Sequence, residues 1–179
     1  MPTTYVLGLG NVLMGDDGFG PAAVRAFEAE YVVGPDVTVV DIGTPGLDLM
    51  PWFTDAERLV LVDTVKSDCA PGTLKVYDQN ELLRYAPAAR VGPHEPGVKE
   101  ALLTLELAGR APREVVLIGV VPQHVGLSLD LTPAVRDMVP IAADVIAATL
   151  RRFGVAVRRR PQHLLERPWW SAGSVELTG

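Results

Sequence analysis

Among the 179 residues there is a single cysteine, Cys69, which excludes an intramolecular disulfide and any metal site built from clustered thiolates. No apolar run approaches the roughly 20 residues that a bilayer-spanning helix requires, and the charged residues, 21% of the chain, are spread throughout it. Positive charge is in short supply. The net charge of −6 argues against general nucleic-acid binding. The opening stretch, Met1 to Asn11, has neither a basic leader nor a signal-type apolar segment. The expectation is a cytoplasmic protein, a monomer, with neither membrane nor nucleic acid among its partners.

What is present suits one compact domain, since 48% of the residues are hydrophobic. The charge is uneven. Residues 1–150 hold 10 Lys and Arg against 20 Asp and Glu, whereas residues 151–179 hold 6 against 2. An acidic body over 1–153 and a basic extension over 154–179 are therefore read separately. The extension carries Arg158, Arg159, Arg160, Arg167 and the pair Trp169-Trp170. Its favoured reading is a tail that adds little to the fold; docking on the acidic body or contact with a partner are the alternatives.

Apolar runs at Tyr5–Gly10, Val37–Val40, Leu59–Val62 and Val115–Val121 read as buried strands, and Thr73–Tyr77 as an edge strand. Helical spacing follows Pro21, runs through Leu47, Leu49 and Met50, covers Val98–Leu107, and extends from Thr132-Pro133 to about Phe153. Pro87 to Pro96 reads as loop. Strands alternating with helices give an α/β fold, a mostly parallel sheet covered on both faces. Ligands of such sheets lie beyond the C-terminal strand ends, so chemistry is expected after Gly10, Asp41, Asp63 and Val121.

Five residues are the candidates for chemistry. Asp63 ends an apolar strand, where an ionised carboxylate loses hydration unless it is paired, caps a helix or meets a cation. Asp41 poses the same question, but a glycine-rich turn follows that it can cap. Asp16 and Asp17 precede the first helix; one can cap it, and two adjacent carboxylates repel unless one turns to solvent or a metal. His94 lies in a rigid Gly92-Pro93-His94-Glu95-Pro96-Gly97 run that no apolar pattern claims. Two carboxylates and an imidazole suit a transition metal that must also meet a substrate. His124 reads first as a loop residue and second as an extra ligand. Gly8-Leu9-Gly10 starts a dinucleotide fingerprint, yet Leu13 stands where its third glycine belongs. Cys69 is a weak candidate nucleophile, with no general base nearby in the sequence.

The run Gly8-Leu9-Gly10-Asn11-Val12-Leu13-Met14-Gly15-Asp16-Asp17-Gly18-Phe19-Gly20 resembles the N-terminal signature of the hydrogenase maturation proteases. Asp41-Ile42-Gly43-Thr44-Pro45-Gly46, Leu61-Val62-Asp63-Thr64, Ala70-Pro71-Gly72-Thr73 and Gly119-Val120-Val121-Pro122 are similar to later motifs of that family. So are Gly126-Leu127-Ser128 and Leu131-Thr132-Pro133. The resemblance runs from about Thr4 to Phe153. It implies a three-layer sandwich around a mostly parallel, twisted five-stranded sheet. It also implies that Asp17, Asp63 and His94 bind metal and are the catalytic residues, which leaves capping or solvation to Asp16. Glu95 and Pro96 depart from the family's usual residues after the histidine.

The activity so implied is an endopeptidase that removes the C-terminal peptide of a nickel-loaded [NiFe]-hydrogenase large-subunit precursor. Nickel would be supplied by that substrate, with zinc or another divalent ion able to substitute. The sequence lacks H-E-x-x-H, so an ordinary zinc protease with its own general base is excluded. Two other classes stand beside it: a non-cleaving chaperone that senses nickel loading, and a nucleotide-binding α/β protein.

Overall fold

A computed structural model describes residues 3–44, 49–54, 56–85 and 98–161. Five strands form one sheet: β1 (Thr4–Leu9), β3 (Val37–Gly43), β4 (Arg58–Thr64), β5 (Leu74–Asp78) and β6 (Glu114–Val120), in the order β3-β1-β4-β6-β5. The four strands β3, β1, β4 and β6 run parallel, and only the edge strand β5 is antiparallel to its neighbour. Val6, Leu7 and all of Leu59–Val62 are fully buried, as strands covered on both faces must be.

Alternation along these strands feeds two cores. Val6, Val60, Val62, Val116 and Ile118 pack with α1 (Phe19–Glu30) and α6 (Met138–Arg152) on one face. Leu7, Leu9, Leu59, Leu61 and Leu117 pack with α2 (Leu49–Thr54) and α4 (Val98–Leu107) on the other. This is the expected three-layer α/β sandwich. The start of α2 predicted at Leu47 lies outside the described residues, as does the loop 87–96.

Three features depart from the sequence reading. The final helix is broken: α5 (Pro133–Arg136) ends at Asp137 before α6 begins. Pro140 explains the break, because it has no N–H for the Arg136 carbonyl and its ring crowds that carbonyl. A further helix, α3 (Gln79–Tyr85), follows β5. It starts with a reciprocal cap: the Glu81 N–H donates to Asp78 at 2.9 Å, and the Asp78 N–H donates to Glu81 at 2.9 Å.

The third departure concerns the C-terminal segment. Residues just beyond the expected domain end fold back as β7 (Val157–Arg159), antiparallel to β2 (Tyr31–Val33). Val155 joins the α1–α6 core. Arg159 reaches Glu30 at 2.7 Å, and the Arg160 side chain donates to the Glu28 carbonyl at 3.0 Å. Tyr31 stacks on Phe27, hydrogen-bonds Asp144, and lies beneath the guanidinium groups of Arg151 and Arg159. The basic residues at 158–160 thus dock on the acidic body, while 162–179 lie outside the described residues.

Truncation after Gly154 removes a buried valine side chain and the β2–β7 hydrogen bonds. It is expected to cost about 2–4 kcal/mol. The exposed Arg159–Glu30 pair adds little to that figure. Urea unfolding of the full and shortened chains checks it; an unchanged midpoint would mean that β7 contributes nothing.

Candidate active site

The C-terminal end of β1 is shaped by glycine. Gly10 has φ 144°, and a Cβ there would stand 1.9 Å from the Asp17 carbonyl oxygen. A Cβ on Gly20 would fall 2.1 Å from the Leu9 oxygen and 2.4 Å from the Val62 oxygen. Only glycine lets the first turn of α1 settle onto the ends of β1 and β4. The short 3-10 helix Asp16–Gly18 ahead of α1 is thereby held directly over those strand ends. These glycines are consumed by internal contacts, so the strand–glycine–helix pattern serves packing here and leaves no phosphate cradle.

The two adjacent aspartates part company. Asp16 is fully buried. One of its oxygens accepts the Gln123 N–H at 2.8 Å, the His124 N–H at 2.9 Å and the Thr132 hydroxyl at 3.0 Å; the other accepts the Thr132 N–H at 2.7 Å. Burial pushes its carboxyl up, but the donors from His124, Thr132 and Gln123 together outweigh burial and hold it below the ordinary value. Capping or solvation, expected for Asp16, is therefore replaced by a different role. It caps no helix by its side chain and sees no solvent; it fastens the segment after β6 to the turn before α1. The reason is topological: β6 ends beside β4, which brings free amides of 123 and 124 over the turn.

Asp17 is half-buried and turns the other way. Its Oδ2 accepts the Asn11 N–H at 2.8 Å, and the Thr64 hydroxyl lies 3.4 Å from its Oδ1. Thr64 follows Asp63 at the end of β4. Asp63 is 1% exposed, and its Oδ1 accepts the Thr64 N–H at 2.7 Å. Along β4, Thr64 continues the side of Val60 and Val62, and Asp63 continues that of Leu59 and Leu61. Asp63 thus belongs to the face covered by α4. That helix begins at the buried Val98, four residues after His94.

Asp17 and Asp63 therefore lie at the same end of the sheet, with Thr64, the neighbour of Asp63, within 3.4 Å of Asp17. His94 and Glu95 lie outside the described residues. Among the described residues no group of three or more metal-ligating side chains occurs. Asp41 takes the structural role read for it: its Oδ1 accepts the Gly43 N–H at 2.9 Å, and Arg25 lies at 3.6 Å. His124 is exposed and serves through its main chain, its carbonyl accepting the Asp16 N–H at 3.0 Å.

Just past the ends of β4 and β6 runs an open groove of about 560 Å³, lined by Val65, Lys66, Ser67, Asp68, Val121 and Pro122. Cys69, exposed beside it, has its thiol held below the ordinary range by hydrogen bonds with Ser67 and then Lys75.

The model of the hydrogenase maturation protease family matches residues 21–149. The chain belongs to that family. It is 38% identical over 177 residues to the hydrogenase expression/formation protein HupD of Bradyrhizobium diazoefficiens, covering 93% of this chain and 90% of the relative. The hydrogenase 2 maturation protease of Escherichia coli K12 is 32% identical over 163 residues, covering 88% of this chain and 97% of the relative. Among solved structures, the hydrogenase maturating endopeptidase HybD from Escherichia coli superposes with a TM-score of 0.80 at 31% identity. That match covers 89% of this chain and 98% of the other. The hydrogenase maturation protease is thus a mostly parallel α/β sandwich, and among the described residues no helix is long and apolar enough to cross a membrane.

The role of Asp16 gives a prediction. Asp16→Asn exchanges an acceptor for a donor facing amides and should destabilise the protease by about 2–4 kcal/mol. Because the folded carboxyl titrates below the unfolded one, its contribution is complete above the unfolded value of ~4 and is lost as pH falls through the lower folded value. Urea midpoints measured from pH 6 downward should fall for the wild type in that acidic window. The Asn variant, already destabilised, should show a shallower fall; parallel curves would remove Asp16 from this role.

Proposed function

We propose that this protease removes the C-terminal peptide of a [NiFe]-hydrogenase large-subunit precursor in the cytoplasm, acting as a monomer and reading the precursor's own nickel. The observation that carries the reading is the approach of Thr64, next to Asp63 at the end of β4, to the Asp17 carboxylate. Carboxylates combined with an imidazole from His94 form a donor set that nickel accepts, as do zinc and other divalent ions. Asp17, only half-buried, can receive a metal delivered from outside. The substrate's metal, once there, would polarise a carbonyl or acidify a water at the scissile bond.

The chain's own residues then have distinct tasks. Asn11 fixes Asp17 by its main-chain N–H, leaving Oδ1, with Thr64 near it, on the site's side. The Thr64 N–H fixes one oxygen of Asp63. The groove beyond β4 and β6 offers a path for extended chain at the same end of the sheet. A chaperone that only senses nickel would share the metal contacts and lack turnover.

Mass spectrometry of nickel-loaded precursor incubated with the protein tests this. A shortened large subunit is expected, and metal-free precursor should stay intact; stable association with no cleavage would sink the peptidase reading. Asp17→Ala, Asp63→Asn and His94→Ala should each lower cleavage by more than the ~100-fold that loss of a ligand's supporting partner can cost. Circular dichroism should remain native. Loss of activity matched by loss of fold would place these residues in the scaffold instead.

A further inference from the structure

The segment after β6 belongs to neither sheet nor helix until α5, yet it is firmly attached. The Gly15 N–H donates to the Ser128 carbonyl at 2.8 Å, and the Ser128 N–H donates to the Leu13 carbonyl at 3.0 Å. The Asp16 N–H donates to the His124 carbonyl at 3.0 Å, and the buried Asp16 carboxylate takes the 123, 124 and 132 amides. Loops 11–15 and 123–129 are therefore one body. Ser128 uses both its backbone groups in this joint, and Leu127 and Leu129 flank it with their side chains exposed.

That body is unusually apolar on its outside. Leu127 is 89% exposed, Leu129 80%, Leu13 51%, Val125 47% and Val12 43%. Neither Asn11–Gly15 nor Gln123–Leu129 contains a single Asp, Glu, Lys or Arg, in a chain that is 21% charged. Elsewhere among the described residues, the large exposed apolar side chains are Val76, Ile141 and the pair Leu103 and Leu107 one turn apart on α4, so no other group of five occurs. An apolar surface on ordered backbone loses little further entropy when covered, which is what a recognition surface requires.

We propose that loops 11–15 and 123–129 form the docking surface for an apolar segment of the large-subunit precursor, with Leu127 and Leu129 as anchors. The proposal rests on the function given above, for which the precursor is the substrate. Continuity with the site argues for this occupant. Asn11, whose N–H holds Asp17, also holds the Leu13 N–H through its side chain at 3.0 Å, so the patch begins two residues from a site-holding contact. Size argues against a second copy of the chain. Five side chains fall far short of the roughly 800 Å² per partner of a standard stable interface, but they suffice as an adjunct to a site that already grips the same partner. Absence of charge argues for an apolar segment, recognised by burial and not by steering.

The test compares wild-type protease with Leu127→Ser/Leu129→Ser, using nickel-loaded precursor. Both side chains are exposed, so the thermal midpoint should not move. The Michaelis constant should rise about tenfold or more with kcat nearly unchanged. Binding of the precursor is measured in parallel on Asp63→Asn protein with and without the two serines, and Kd should rise by the same factor. If cleavage by the wild type is absent yet Kd still rises, the docking surface stands and the peptidase reading falls. If the wild type cleaves and neither constant moves, the docking surface is wrong. Wild-type self-association in sedimentation equilibrium that the double variant abolishes would also overturn it, by assigning the face to a second copy.

Discussion

A single buried carboxylate organises the functional end of this protein. Asp16 has no access to solvent, and an ion in that position would be costly if it were unpaired. Three backbone amides and one hydroxyl meet it at 2.7–3.0 Å. Those amides come from two ends of one segment, residues 123–124 and Thr132. Without the carboxylate they would be unsatisfied donors over a strand end, and the segment would have no reason to lie there. Asp16 therefore couples three things that are far apart in sequence: the turn carrying Asp17, the exit of β6, and the start of α5.

The glycines make that coupling possible by distance. Gly20 admits the Leu9 and Val62 carbonyls to within contact of α1, and Gly10 admits the Asp17 carbonyl. The α1 end consequently approaches β1 and β4 more closely than any side chain would allow. Thr64 then comes within reach of Asp17. A parallel sheet collects loops at its C-terminal strand ends in any case; here close approach also brings the turn that carries Asp17 against the end of β4.

The strands and the layer architecture were legible because both follow from apolar runs and glycine punctuation, which need no tertiary information. Asp41 was also legible, since its partner lies two residues away. The local signal for α3 is present in Asp78 and Glu81, whose three-residue spacing is that of a reciprocal cap, but the segment between Tyr77 and Pro87 is too short and too polar for an apolar period to mark it. Asp16 was not legible in the same way. Its partners lie 107 to 116 residues downstream, and no local pattern distinguishes a carboxylate awaiting such amides from one that caps a helix. β7 escaped for a related reason: Val157-Arg158-Arg159 is short and basic, and only Glu30 and Tyr31 across the fold make it a strand.

The doubled aspartate also resolves an electrostatic difficulty. Two neighbouring carboxylates in a confined turn repel, and the usual relief is that one takes up a proton. Here Asp16 is surrounded by amide dipoles that favour its ionised form, so its charge is neutralised locally by protein donors instead of by protonation. Asp17 points elsewhere, keeps one firm backbone bond, and remains half-buried. Had the two side chains exchanged roles, the exposed carboxylate would sit one residue further from Thr64 and the segment 123–132 would lose its anchor. Division of labour between the pair therefore fixes geometry on one side and preserves an available ligand on the other. In the proposed reaction that availability matters, because the metal arrives with the substrate and the site must be ordered before it comes.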